Sequence, residues 1–88
     1  MNDNYINLAN AIIIKAYKDY KRALRIIVKT SAHKKDLSES EIKKRRKAFR
    51  IKRDVESFFH SPWYRELTDA DANIIIQHAK SEVNYNDK

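Results

Sequence analysis

Leu8-Ala9-Asn10-Ala11-Ile12-Ile13-Ile14-Lys15-Ala16-Tyr17-Lys18-Asp19-Tyr20-Lys21-Arg22-Ala23-Leu24-Arg25-Ile26-Ile27-Val28 is the stretch that decides the fold. Leu8, Ile12, Ala16, Tyr20, Leu24 and Ile27 recur at three- and four-residue spacing, and Ile13, Ala23 and Val28 widen the same stripe. Residues three and four apart on an α-helix lie on one side, so this spacing gathers apolar groups along a single face. A half-buried strand would need strict alternation, which the segment lacks. The spacing predicts a helix from about Tyr5 to Thr30.

Outward from this helix the same logic continues. Ser31 to Leu37 breaks the periodicity and reads as a connector. Ser38-Glu39-Ser40-Glu41 then has the form of a capping box, in which the serine hydroxyl and the glutamate carboxylate satisfy two otherwise unbonded amides. A second helix is expected to about Phe59 or His60, with Ile42, Ala48, Phe49, Ile51, Val55, Phe58 and Phe59 as its apolar positions. Ser61-Pro62 both stops it and starts a short helix to about Leu67, because serine caps well and proline at the first helical position loses no hydrogen bond. Thr68-x-x-Asp71 resembles another cap, opening a last helix to about Val83 with Ile74, Ile75, Ala79 and Val83 turned inward. Residues 84–88 read as a frayed tail.

The chain has no glycine and one proline. Hairpin turns and phosphate-cradling loops depend largely on glycine, so composition argues against β-rich, P-loop and dinucleotide-binding designs together. The expected fold is therefore all-α: residues 1–88 as a single helical domain, a small bundle of two long antiparallel helices plus the short helix and the C-terminal helix. Phe58, Phe59 and Trp63 would sit at the junction. With 88 residues the core is thin.

No cysteine is present, which removes disulfides and thiolate chemistry. The isoleucine runs Ile12 to Ile14 and Ile74 to Ile76 are three residues long, far below the roughly 20 apolar residues that span a bilayer. The N-terminus lacks a charged and then apolar secretory pattern. A cytoplasmic protein with no membrane partner is expected.

Charge carries the strongest functional signal. The formal net charge is +7, but Lys15 to Arg53 holds 16 Lys or Arg against four acids, whereas Asp54 to Lys88 holds three against seven. Lys18, Lys21, Arg22, Arg25 and Lys29 fall on one side of the first helix. Lys43, Lys44, Arg46, Lys47, Arg50 and Arg53 belong to the second. Residues 43–47 are five consecutive cations, which spread around a whole helix and so cannot all meet a core. Few acids stand four residues away to offset them, and unpaired like charges repel. These eleven residues are the candidate site for nucleic acid or another acidic partner. Positive side chains there would displace counterions from DNA or RNA whatever its sequence. The plainer readings are a solvated face that keeps the chain soluble, or a nuclear-localisation patch at 43–47. Tyr17 and Tyr64 could stack on bases, although shielding the core edge is the commoner role for such residues.

Catalytic constellations are missing from this pattern. His33, His60 and His78 have no second ligand at metal-binding spacing, so no metal and no cofactor are expected. Glu66, Asp69 and Asp71 form the acidic cluster, which reads as charge complementing the last helix's N-terminus. His60-Ser61 adjacency does not make a dyad. A non-enzymatic protein follows. The alternative to nucleic-acid binding is a protein-targeting inhibitor of a host defence or nucleic-acid-processing enzyme, anti-CRISPR-like in kind. A homodimer is compatible with either and would extend the basic surface by symmetry.

Two segments carry a resemblance. The first is Leu8-Ala9-Asn10-Ala11-Ile12-Ile13-Ile14-Lys15-Ala16-Tyr17-Lys18-Asp19-Tyr20 with Ala23-Leu24. The second is Val55-Glu56-Ser57-Phe58-Phe59-His60-Ser61-Pro62-Trp63-Tyr64-Arg65-Glu66-Leu67-Thr68-Asp69-Ala70-Asp71 with Ile74-Ile75. Together they resemble small uncharacterised helical proteins encoded by prophages and mobile elements of Gram-positive bacteria. The resemblance spans roughly the first 28 residues and the last third of the chain, and its most distinctive part is the E-x-F-F-x-S-x-W-Y-x-x-L-T combination. It implies a phage or mobile-element accessory protein and transfers no active site. Ala11, Ile12, Ala16, Tyr20, Phe58, Phe59 and Trp63 are packing positions, so what it implies is a shared fold more than a shared function.

Overall fold

The computed structural model describes the backbone of residues 3–85 and the side chains of residues 8–85. Helix α1 is Asp3–Ser31, α2 is Glu39–Phe59, α3 is Pro62–Leu67 and α4 is Ala72–Val83. A single 3-10 turn, Lys34–Asp36, lies in the connector between α1 and α2. No strand occurs among the described residues.

Each boundary has a local cause. Ser38 Oγ accepts from the Glu41 amide while a Glu41 carboxylate oxygen accepts from the Ser38 amide, both at 3.2 Å, so the capping box forms as the sequence predicts. Ser61 Oγ accepts from the Tyr64 amide at 3.2 Å and Pro62 stands in the first helical turn of α3. The cap of α4 differs from expectation. Thr68 closes α3, its amide donating to the Tyr64 carbonyl, and Asp71 alone caps α4 by accepting from the Asn73 amide at 2.8 Å. Within the acidic cluster, then, Asp71 is a cap.

The end of α4 corrects the tail. Asn84 adopts a left-handed conformation with φ 57°, a geometry that favours glycine and that asparagine tolerates best among the other residues. The following Tyr85 amide then donates to the Lys80 carbonyl at 2.9 Å, and the ring turns back onto the core. Lys52 and Lys80 lie 5.6 and 5.8 Å from its centroid. Residues 84 and 85 therefore belong to the fold, and 86–88 lie outside the described residues.

Packing forms two clusters. Tyr20, Leu24, Phe59, Tyr64, Ile76 and Ala79 make the larger one, and Ala23, Ile27 and Ala48 the smaller. The Phe59 ring meets Tyr20 and Tyr64 edge-on at centroid distances of 6.4 and 5.4 Å, an arrangement that suits opposed ring quadrupoles. Between α1 and α2, Thr30 meets Arg45 and Tyr20 meets Glu56. The molecule measures 53 × 23 × 19 Å.

Several apolar positions expected in the core are elsewhere. Leu8 and Ile74 are 60% and 68% exposed, and Ile42, Phe49 and Trp63 are also exposed. Ile76 takes the inward place assigned to Ile74: Ile76 and Ala79, three residues apart, share one side of α4 and are both buried. Trp63 still lays its ring against Phe58 at 5.3 Å while its outer side meets solvent.

A part-buried polar contact helps tie α1 to α2. Tyr20, fully buried, donates its hydroxyl to Glu56 at 2.6 Å, and Lys52 reaches the same carboxylate oxygen at 3.0 Å. Burial alone would raise the Glu56 carboxyl, but the Tyr20 and Lys52 bonds outweigh it and hold it below the usual carboxylate range. A lowered folded value contributes stability above the ordinary carboxylate range and loses it as pH falls through the lowered value. Tyr20→Phe should therefore lower the melting temperature at neutral pH, and the gap to wild type should narrow at a pH low enough to protonate Glu56, below the ordinary carboxylate range. A constant gap at both pH values in thermal melts would separate the cost of Tyr20→Phe from Glu56 ionisation.

Candidate functional site

Ten of the eleven predicted cations present their side chains outward. Lys18, Arg22, Arg25 and Lys29 are exposed on α1, as are Lys43, Lys44, Arg46, Lys47, Arg50 and Arg53 on α2. Lys21 is the exception and a correction. It sits one step around α1, on the side packed against α4, where its ammonium bonds Glu82 at 2.8 Å and lies 5.1 Å from the Tyr17 ring centroid. That bond holds the Glu82 carboxyl below its usual range. Lys21 thus joins α1 to α4 and is not part of the open face.

Arg45 shows why residues 43–47 do not all point to solvent. Its Nη1 donates to the Ile27 carbonyl at 3.0 Å, to Thr30 Oγ1 at 2.6 Å and to Ser31 Oγ at 3.0 Å. The C-terminal end of a helix carries negative partial charge, so a guanidinium held there is favourable. Its plane also covers Phe49, 5.0 Å from the ring centroid. Among the five consecutive cations, Arg45 is structural.

Four of the outward cations line a groove of about 490 Å³ between α1 and α2. Arg22 and Lys29 line it from α1, Lys44 and Lys47 from α2, and its floor is Ile26, Ala48 and Ile51. Glu41 is the one carboxylate in the lining. It is occupied by the capping box and by His33 Nε2 at 3.2 Å, and the Ser38 amide bond holds its carboxyl below the usual range. Among the described residues Arg22, Lys29, Lys44 and Lys47 form no ion pair. Outside the groove Arg53 lies 3.9 Å from Asp54, and Arg25 is near enough to Glu82 to help lower its carboxyl. Lys43, Arg46 and Arg50 have no ion-pair partner among the described residues.

Sequence reasoning missed the floor. Ile26 stood outside the apolar stripe of α1, yet it is four residues from Arg22 and three from Lys29, a spacing that places all three on one side. Tyr64 is unavailable for stacking, and Tyr17 is half-buried with its ring near Lys21 and His78. The Tyr17 hydroxyl is 2.6 Å from His78 Nδ1, and Tyr64 is buried with its hydroxyl donating to the Ala70 carbonyl at 2.9 Å.

Among the described residues no cluster of three or more His, Cys, Asp or Glu could hold a metal ion, and no helix is long and apolar enough to cross a membrane. No family model, curated protein or solved structure matches the chain.

Proposed function

We propose that the chain is a non-enzymatic accessory protein of a phage or mobile element that binds nucleic acid through the cations of α1 and α2, with the two long helices running antiparallel. The observation that carries this reading is the groove rim: Arg22, Lys29, Lys44 and Lys47 are exposed, close to one another and free of carboxylate partners among the described residues. Like charges held together cost stability. A polyanion removes that cost and gains the entropy of released counterions.

Titration of labelled DNA and RNA at two salt concentrations tests it. About six phosphate contacts predict a slope of log K against log salt near −5. Failure to bind at low salt would overturn the reading.

A second reading, a protein target such as a host defence or nucleic-acid-processing enzyme, is favoured by the aliphatic floor of Ile26, Ala48 and Ile51, which could take apolar side chains of an acidic helix. It is weaker because such a helix would engage the rim and leave Lys43, Arg46 and Arg50 on α2 without a role. A complex with one host protein that survives nuclease treatment would replace the first reading with the second.

A further inference from the structure

Resting on the nucleic-acid reading, we propose that the ligand is a duplex gripped by its two backbones, bound without regard to sequence, and not a single strand. The rim cations form two rows, Arg22 and Lys29 from α1 facing Lys44 and Lys47 from α2, across an aliphatic floor. A duplex offers two rows of phosphates on either side of an open groove, whereas a single strand offers one. Aliphatic side chains on the floor have no donors or acceptors for base edges, so this contact reads the backbone and not the sequence.

The aromatic residues argue the same way. Single-strand binders hold successive bases on aromatic faces. Here Tyr17 is engaged by His78 and Lys21, Tyr64 is buried, and Phe49 lies under Arg45. Trp63 is exposed, but it lines a different hollow, away from the basic groove, with its ring set edge-on against Phe58. Charge density adds to the preference. The same cations displace about 0.9 counterion per contact on B-form DNA against about 0.7 on a single strand.

The test compares 20-base-pair DNA and RNA duplexes with their separated strands, in two unrelated sequences, at matched phosphate concentration. The duplexes are expected to bind about tenfold tighter than the strands, with a slope steeper by about 1 and little change between sequences. Arg22→Glu with Lys29→Glu, and Lys44→Glu with Lys47→Glu, should weaken duplex binding to a similar degree, because each pair removes one row. Strands binding as tightly as duplexes, with a steep salt dependence, would overturn the duplex inference while leaving nucleic-acid binding intact. Loss on reversal of one row only would overturn the two-backbone grip. No binding to any of the four at low salt would overturn both this inference and the reading beneath it. Comparison of the DNA and RNA duplexes then assigns the backbone.

Discussion

Phe59→Ala should cost about 3–5 kcal/mol, enough to unfold much of the chain at 37 °C, while Phe49→Ala ten residues earlier on the same helix should cost under about 1 kcal/mol. Phe59 is 1% exposed and Phe49 42%. Phe59 fills the angle where α1, α2 and α3 meet, touching the rings of Tyr20, Phe58 and Tyr64. Truncation removes that apolar contact and leaves a void that three separately anchored helices cannot close without moving. Phe49 loses little beyond its contact with the Arg45 guanidinium. An 88-residue domain has only several kcal/mol of net stability, so the first change approaches the whole of it. Urea unfolding followed by circular dichroism gives both values. Equal losses at the two positions would contradict the packing described for α2.

The contrast between these phenylalanines bears on what the sequence made legible. Helix existence and the caps at Ser38 and Ser61 were readable because they are local: a period of three to four residues, a serine and a glutamate three apart, a proline after a serine. The stripe through Tyr20, Leu24 and Ile27 was readable for the same reason. The exposure of Phe49, Leu8 and Ile74 was not, because it depends on which other helix covers each turn. Nor did composition separate Lys21 from its neighbours, and although Arg45 stands outside the candidate site, nothing local names its partners. Both are cations among cations in sequence, and only the approach of α4 and of the α1 C-terminus gives them Glu82 and the Ile27 carbonyl as partners. Tyr85 was missed because its place follows from a single left-handed residue, Asn84, in a chain with no glycine to mark the turn.

Reversing one row of the groove should separate binding from folding. Lys44→Glu with Lys47→Glu removes two phosphate contacts, each a charge-assisted bond of about 1.5 kcal/mol or more, so affinity is expected to fall at least about 100-fold. The salt slope should flatten by about 2, from near −5 to near −3. Stability should move the other way. Both positions are exposed, and glutamate and lysine have similar helix propensity. The reversal replaces repulsion of Lys47 by Lys43 and Arg50 with attraction, while the pair at 44 and 47 remains like-charged as before. A melting temperature equal to or above wild type, together with lost binding, is the signature of charge held in place for a ligand. Lys21→Ala provides the contrast, since Lys21 serves Glu82 and should leave affinity and slope unchanged. If the Lys44 and Lys47 reversal raised stability but left affinity intact, the groove would be a solvated face and the phosphates would be held elsewhere on α2. Arg46→Glu with Arg50→Glu, on the outward side of that helix, would then be the pair that abolishes binding.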